Sequence, residues 1–216
     1  MPDRADISDT ELAAQSQQGS LDAFEQLVQR HEARLFHFLC QKAPTRQDAE
    51  DLAQHTFINA WQRIHQYRTD ASFATWLYTI ARNLTISHYR KHGRVTLTEL
   101  DSAEPHMVYH DTPADTLAEA EQQAALWRTA RQALKPDAFD VLWMKYREHL
   151  SIIEIARTMS RTETSVKVML HRARKTLGRA LEAEALAEPG THPETSPTNN
   201  LKQQIAYAQG GTQCSA

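Results

Sequence analysis

Two shortages limit what this chain of 216 residues can be. It has only two cysteines: Cys40 lies in an apolar-periodic stretch and Cys214 in a polar tail. A disulfide framework of the kind that stabilises small secreted proteins is therefore not expected. The chain also lacks any apolar run close to the roughly 20 residues that a membrane span needs. Its first residues, MPDRADISDTEL, have no apolar stretch behind a positive start, so we expect a cytoplasmic protein with no membrane segment of its own.

Charge divides the chain into blocks that its net charge of -3 conceals. Residues 95–127 contain seven acidic side chains and no Lys or Arg, whereas residues 128–186 contain 12 basic and 7 acidic ones. An acidic segment with few large apolar residues is typical of a flexible linker. We therefore predict one domain over residues 8–94, an acidic linker over 95–127 and a second domain over 128–186. The tail, 187–216, is rich in Pro, Thr, Asn, Gln and Gly, and we expect it to be disordered.

Apolar residues recur at three- and four-residue steps in both predicted domains, which indicates amphipathic helices. Helix start signals precede several of these stretches. Ser8 with Glu11, and Ser151 with Glu154, have the spacing of a capping box. The pattern predicts an all-α protein with two small helical domains.

The stretch from Tyr67 to Gly93, YRTDASFATWLYTIARNLTISHYRKHG, mixes aromatic and positive side chains, and no acid follows Asp70 until Glu99. Such a mixture suits unstacked nucleic acid, because rings stack on bases while Arg and Lys neutralise phosphates. Helical spacing places part of the aromatic set in a core, so an amphipathic helix with a solvated basic face remains the alternative. The residues that we expect to be exposed for contact are Tyr67, Arg68, Arg82, Asn83, Tyr89 and Arg90.

A polar face is predicted for the preceding helix, DAEDLAQHTFINAWQRI. Glu50, Asp51 and Gln54 point mostly away from its apolar side. Acids near a helix start also suit the helix dipole, so capping and solubility could explain them. The functional interpretation is a docking face for a protein partner.

The second domain contains two helices separated by the short segment MSRT. The second of these helices, from about Glu163, has an apolar inward stripe and a polar, basic outer face. Two such helices describe a helix-turn-helix whose second helix enters a DNA major groove. An ordinary helical hairpin with a solvated basic face is the alternative. The outward residues are Thr164, Lys167, Val168, His171, Arg174 and Lys175.

These stretches resemble a bacterial RNA polymerase sigma factor of the extracytoplasmic-function (ECF) type. DAEDLAQHTFINAWQRI with YRTDASFATWLYTIARNLTISHYRKHGR is similar to the family's amino-terminal domain, and LSIIEIARTMSRTETSVKVMLHRARKTL to its promoter-reading domain. The likeness covers most of residues 10–182. It implies a non-enzymatic protein, with a sigma region 2-like four-helix domain and a sigma region 4-like helix-turn-helix domain, that binds core RNA polymerase and promoter DNA.

The resemblance also assigns roles to residues of the first domain. It implies that Asp51, Gln54 and Phe57 bind core polymerase. It further implies that the non-template strand of the minus-ten element is held with one base in a protein pocket, which costs a few kcal/mol of unstacking. The residues assigned to this element are Tyr67, Arg68, Thr69, Asp70, Ala71, Ser72, Phe73, Arg82, Asn83 and Arg90.

In the second domain the resemblance implies readout of the minus-thirty-five element. It assigns Lys167, Val168 and His171 to base edges and Arg172 and Arg174 to phosphates, with Thr164 beside them. The family's usual form at this helix resembles P-x-G-T-V-K-S-R. Here a polar pair is replaced by Val168 and Met169, which predicts a different promoter preference, with an apolar contact to a thymine methyl as one substitute.

Other function classes explain less of the chain. A helix-turn-helix repressor or response-regulator output domain would account for residues 128–182 but leaves the amino-terminal block unexplained. Two pairs of histidines, His88 with His92 and His106 with His110, are spaced four apart, but no carboxylate completes a catalytic metal pattern. We therefore expect no cofactor, no metal and no catalytic residue. Sigma factors of this type are often sequestered by an anti-sigma factor, which is the remaining expected partner.

Overall fold

The structure is a computed structural model that describes residues 7–92 and 117–187, with side chains placed over 7–90 and 121–186. Within these ranges every regular element is helical, so the predicted all-α class is confirmed. None of the described helices is both long and apolar enough to cross a membrane. The chain divides into two compact units: the first contains residues 7–92 and the second contains most of residues 117–187. The helices are α1 (Asp9–Gln17), α2 (Leu21–Cys40), α3 (Arg46–Gln62), a 3₁₀ turn (Ile64–Gln66), α4 (Phe73–His92), α5 (Leu117–Ala133), α6 (Pro136–Tyr146), α7 (Ile152–Met159) and α8 (Glu163–Ala187).

In the first unit, successive helices from α1 to α4 pack against one another. The predicted capping box begins α1: the Glu11 amide donates to Ser8 Oγ at 3.3 Å, and the Ser8 amide donates to Glu11 Oε2 at 3.0 Å. The Phe38 and Tyr78 rings meet edge to face in the core, with centroids 5.1 Å apart. This arrangement leaves one side of α3 and one side of α4 at the surface.

In the second unit, α8 packs against α5 and α6 around three aromatic rings. The Trp143 centroid lies 4.8 Å from that of Trp127 and 5.7 Å from that of Phe139. Trp143 Nε1 donates a hydrogen bond to Glu148 Oε1 at 3.1 Å, which gives the buried carboxylate a partner. These contacts form the core of the second unit.

α5 begins at Leu117, inside the stretch 95–127 that is predicted as a linker and next to Thr116, where the helical sequence pattern returns. Leu126 and Trp127 are buried in the second unit. Their burial stabilises a helix that contains Glu119 and Glu121, two of the seven acids that suggested a linker. Residues 95–116 of the predicted linker, and 188–216 of the predicted disordered tail, lie outside the described residues.

The helix pair α7 and α8 has well-defined ends. The second predicted capping box begins α7: the Ser151 amide donates to Glu154 Oε2 at 2.9 Å, and the Glu154 amide donates to Ser151 Oγ at 3.2 Å. At the other end, Ser160 has a left-handed φ of 52°, and the Arg161 amide donates to the Ala156 carbonyl at 2.9 Å. This is the Schellman arrangement that ends a helix and turns the chain.

We expect Ser151→Ala to lower the free energy of unfolding of the second unit by about 1 kcal/mol, since α7 is too short to be stable without its cap. Thermal unfolding followed by circular dichroism should show a fall in Tm of about 4–8 °C for the corresponding transition. Glu154→Gln keeps a capping-box acceptor at this position and is the control, with a smaller expected shift. If Ser151→Ala and Glu154→Gln lowered Tm equally, the Ser151 hydroxyl would make no specific capping contribution to stability.

Candidate functional site

The loop before α4 is built on an aromatic cluster. Tyr67 is only 5% exposed and Phe73 only 1%. The Tyr67 ring lies 5.7 Å from the ring of Phe73 and 5.5 Å from that of Trp76, and its hydroxyl donates to the Ala71 carbonyl at 3.0 Å. Burial raises the pKa of Tyr67, aided by the nearby Asp9 and Asp70, so the phenol stays protonated and able to donate. The prediction that Tyr67 is exposed is wrong: Tyr67 and Phe73 support the loop from within.

The backbone of this loop is fixed by a residue that the sequence did not indicate. Gln17 Nε2, at the end of α1, donates to the Ile64 carbonyl at 3.0 Å and to the Tyr67 carbonyl at 2.9 Å. A glutamine about 50 positions away in sequence gives no periodic or spacing signal for such a contact. Gln17 is therefore a positioning residue for the loop.

The exposed part of the loop is short and polar. Arg68, Thr69, Asp70 and Ser72 are exposed, and Ala71 is half-buried. The Ser72 hydroxyl also caps α4, because it accepts a hydrogen bond from the Thr75 amide at 3.3 Å. The loop thus presents backbone and small polar side chains above a rigid aromatic base.

The outer face of α4 continues from this loop. Asn83 and Arg90 are exposed, Arg82 is half-buried, and Ile86 lies exposed between Asn83 and Arg90. Tyr89 differs from its prediction as an exposed contact: its hydroxyl is buried, and burial, with Asp48 nearby, raises its pKa to about 12. The side chain of Lys91 lies outside the described residues. The face therefore offers an amide, a guanidinium and an apolar side chain at helical spacing.

The predicted partner face of α3 is also at the surface. Asp51 and Gln54 are exposed, and the side-chain amide of Gln47 donates from Nε2 to Asp51 Oδ1 at 3.3 Å. Phe57 is half-buried, so its ring is only partly available, and Ile58 beside it is exposed. An acid and an amide next to partly exposed apolar groups form a surface that a protein partner could cover.

The outer face of α8 carries a run of basic side chains. Between Glu163 and Glu182 the helix contains no acid. Lys167 leans towards Glu163, with 3.9 Å between Nζ and Oε2, and Arg174 Nη1 donates to the Tyr146 hydroxyl at 3.4 Å. The predicted inward stripe of Val166, Leu170, Ala173 and Leu177 is buried. The predicted outward residues are all exposed, as is Arg172: Thr164, Lys167, Val168, His171, Arg174 and Lys175.

Metal chemistry finds no support in the described residues. Across 7–90 and 121–186, no three His, Cys, Asp or Glu side chains are grouped closely enough to hold an ion. His106 and His110 lie outside these ranges, as does the side chain of His92. The contact surfaces predicted from the sequence are the loop with α4, the face of α3 and the face of α8.

Comparison with known proteins places both units in described families. Sigma-70 region 2 matches residues 27–95, and Sigma-70, region 4 matches residues 125–177. The chain is 31% identical over 174 residues to the ECF RNA polymerase sigma factor SigW of Bacillus subtilis (strain 168), covering 77% of this chain and 93% of SigW. It is 30% identical over 177 residues to the ECF RNA polymerase sigma factor BldN of Streptomyces coelicolor, covering 81% of this chain and 66% of BldN.

A solved structure shares the fold. CnrH, in complex with the cytosolic domain of CnrY, is 26% identical, with a TM-score of 0.60. The similarity covers 82% of this chain and 99% of CnrH. It therefore extends over both helical units.

Proposed function

Because the chain belongs to the ECF RNA polymerase sigma factors, we propose that it directs core RNA polymerase to one class of promoters by reading the minus-thirty-five element and melting the minus-ten element. Sigma factors bind core RNA polymerase to initiate transcription. This proposal is supported by the exposure of Asp51 and Gln54 on α3, of Asn83 and Arg90 on α4 and of the assigned polar side chains on α8, whose apolar stripe is buried.

Polymerase binding is assigned to the outer face of α3. Asp51 and Gln54 supply exposed polar groups, and the partly exposed Phe57 and Ile58 supply apolar area. A patch in which polar groups surround partly buried apolar ones has the composition of a protein interface. This surface needs no rearrangement of the helix to meet a partner.

Strand capture is assigned to the loop and the outer face of α4. Arg68 and Arg90 can neutralise phosphates, and the exposed Asn83 amide can hydrogen-bond an unpaired base edge. Since Tyr67 and Phe73 are in the core, the pocket wall is made by Arg68 to Ser72 on a rigid base. A rigid loop limits the ordering entropy of holding a flipped base, whose extrusion costs a few kcal/mol.

Upstream readout is assigned to α8. Lys167, Val168 and His171 face base edges in this proposal, with Thr164 beside them, and Arg172 and Arg174 contact phosphates. Phosphate contacts set the position of the helix, and base contacts give the sequence preference. The hydrogen bond from Arg174 to Tyr146 holds that guanidinium at the edge of α6 and thus fixes its direction.

The proposal is tested by mixing the purified chain with core RNA polymerase and measuring complex formation and run-off transcription over genomic fragments. We expect a stable complex and a small set of specific start sites. A helix-turn-helix repressor would instead bind duplex DNA tightly without polymerase. Failure to bind core polymerase would contradict the proposal.

Lys167→Ala should weaken holoenzyme binding to promoters that depend on the upstream element by about 5- to 30-fold, the equivalent of about 1–2 kcal/mol. The measurement is holoenzyme binding to promoter duplexes with the upstream element intact or scrambled. Lys135→Ala removes the same charge from the start of α6, where the side chain makes no capping bond, and is the control. If Lys167→Ala weakened binding equally to duplexes with an intact and a scrambled upstream element, Lys167 would not contact bases of that element.

An anti-sigma factor is a further proposed partner of this chain. CnrH, the solved relative, is held by the cytosolic domain of CnrY. The same fold here presents polar faces that promoter and polymerase would use, and a protein covering them would prevent both interactions. Co-purification of the tagged chain, followed by transcription with the recovered protein added back, tests whether such an inhibitor exists.

A further inference from the structure

An exposed valine stands in the middle of the basic surface of α8. Val168 is 43% exposed and lies directly after Lys167. Thr164, Val168 and His171 lie at steps of four and three residues and so form one stripe along the helix. The stripe rises about 10 Å, the length of about three base pairs. Val168 is its central member.

The adjacent Met169 is less available. It is half-buried, and its sulfur lies 4.0 Å from the Ser165 hydroxyl of the preceding turn. Of the two apolar residues that replace a polar pair of the family, only Val168 therefore points into the surface that faces DNA in the proposed function. Among residues 121–186, two other large apolar side chains are exposed, Ile153 on α7 and Leu186 near the end of α8, but neither lies within this stripe.

Valine has no hydrogen-bond donor or acceptor in its side chain, so it cannot read the polar groups of a base edge. The one apolar group that a base presents in the major groove is the C5-methyl of thymine. Against any other base edge, valine would cover a donor or acceptor without pairing it, which is unfavourable. When the valine side chain contacts the thymine methyl group, the apolar surfaces of both groups are removed from water, which is favourable.

We propose that Val168 is a specificity-determining residue that selects a thymine in the upstream promoter element through its C5-methyl group. This inference rests on the proposed function. Burial of one methyl group corresponds to about a fourfold gain in affinity, or about 0.8 kcal/mol. The preference of this sigma factor would then be set by an apolar contact beside the polar contacts of Lys167 and His171.

The test uses holoenzyme formed from the full chain and core RNA polymerase. Upstream elements are first selected from a duplex library randomised over this region, and each thymine of the selected element is then replaced by deoxyuracil, which lacks only the methyl group. We expect one such replacement to weaken binding about fourfold for the native chain. For Val168→Ser the same replacement should have no effect.

Leu186→Ser is the matched control, since it makes the same kind of change on the same helix, at a side chain that is 87% exposed and about 27 Å further along. Its holoenzyme should still bind about fourfold more weakly when the thymine is replaced by deoxyuracil. The native chain, Val168→Ser and Leu186→Ser should all have the same Tm. The assignment is overturned if deoxyuracil still weakens binding by the Val168→Ser holoenzyme, or if only Met169→Ser abolishes that weakening. It is also overturned if no thymine of the selected element can be replaced by deoxyuracil with a loss of binding. If holoenzyme selects no upstream sequence, the proposed function itself fails, and this inference fails with it.

Discussion

Trp143→Ala is expected to unfold the second unit while the first still binds core polymerase. Trp143 is 1% exposed, and its ring contacts Trp127 and Phe139. Removing a buried ring of this size costs about 3–5 kcal/mol. A unit of this size holds only about 4–10 kcal/mol in total. The variant should lose its cooperative unfolding transition for α5 to α8 and all dependence on the upstream promoter element.

Hydrogen exchange by mass spectrometry measures this result, because it reports on α2 to α4 and on α5 to α8 separately. Trp143→Phe is the informative comparison. It keeps most of the ring packing but loses the donor to Glu148, so we expect a loss of about 1–3 kcal/mol and a folded unit. Protection of α6 and α8 that stays native in Trp143→Ala would show that the aromatic cluster is not the core of this unit.

The parts of the fold that the sequence predicted are those decided by local rules. Both capping boxes depend on residues three positions apart, and both are present. The inward stripe of α8 follows from helical periodicity alone, and all four of its residues are buried. Local spacing was sufficient because a three-residue cap and a helical stripe are each decided within one or two turns of the chain.

The parts that could not be predicted depend on distant contacts. Tyr67 reads as an exposed aromatic beside arginines, yet Phe73 and Trp76 fold back over it, and Gln17 fixes its carbonyl from another helix. Likewise, seven acids suggested a linker over 95–127, although packing of Leu126 and Trp127 stabilises α5, which contains two of those acids, Glu119 and Glu121. Tertiary burial outweighed local composition at both places. The site residues themselves remain predictions that only binding and transcription assays can test.

Asn83→Ala is expected to slow the opening of duplex promoters by about 5- to 150-fold, corresponding to about 1–3 kcal/mol for a lost base contact. Asn83 is exposed on the face of α4, so its truncation leaves the packing of the first unit unchanged. Opening needs unpaired bases to be held as they leave the stack, at a cost of a few kcal/mol per base. Without the amide, less of that cost is offset. The measurement is the rate of open-complex formation, followed by permanganate reactivity of unpaired thymines.

A template with a bubble already present at the minus-ten element separates opening from other steps. On that template the melting cost is removed in advance, so saturating Asn83→Ala holoenzyme should transcribe at close to the native rate. Gln29→Ala, which removes an exposed amide from α2, should behave like the native chain on both templates. A native opening rate for Asn83→Ala on duplex DNA would exclude the amide from strand capture. A defect of equal size on the bubble would place its role after melting, because strand separation could then no longer be the step that it assists.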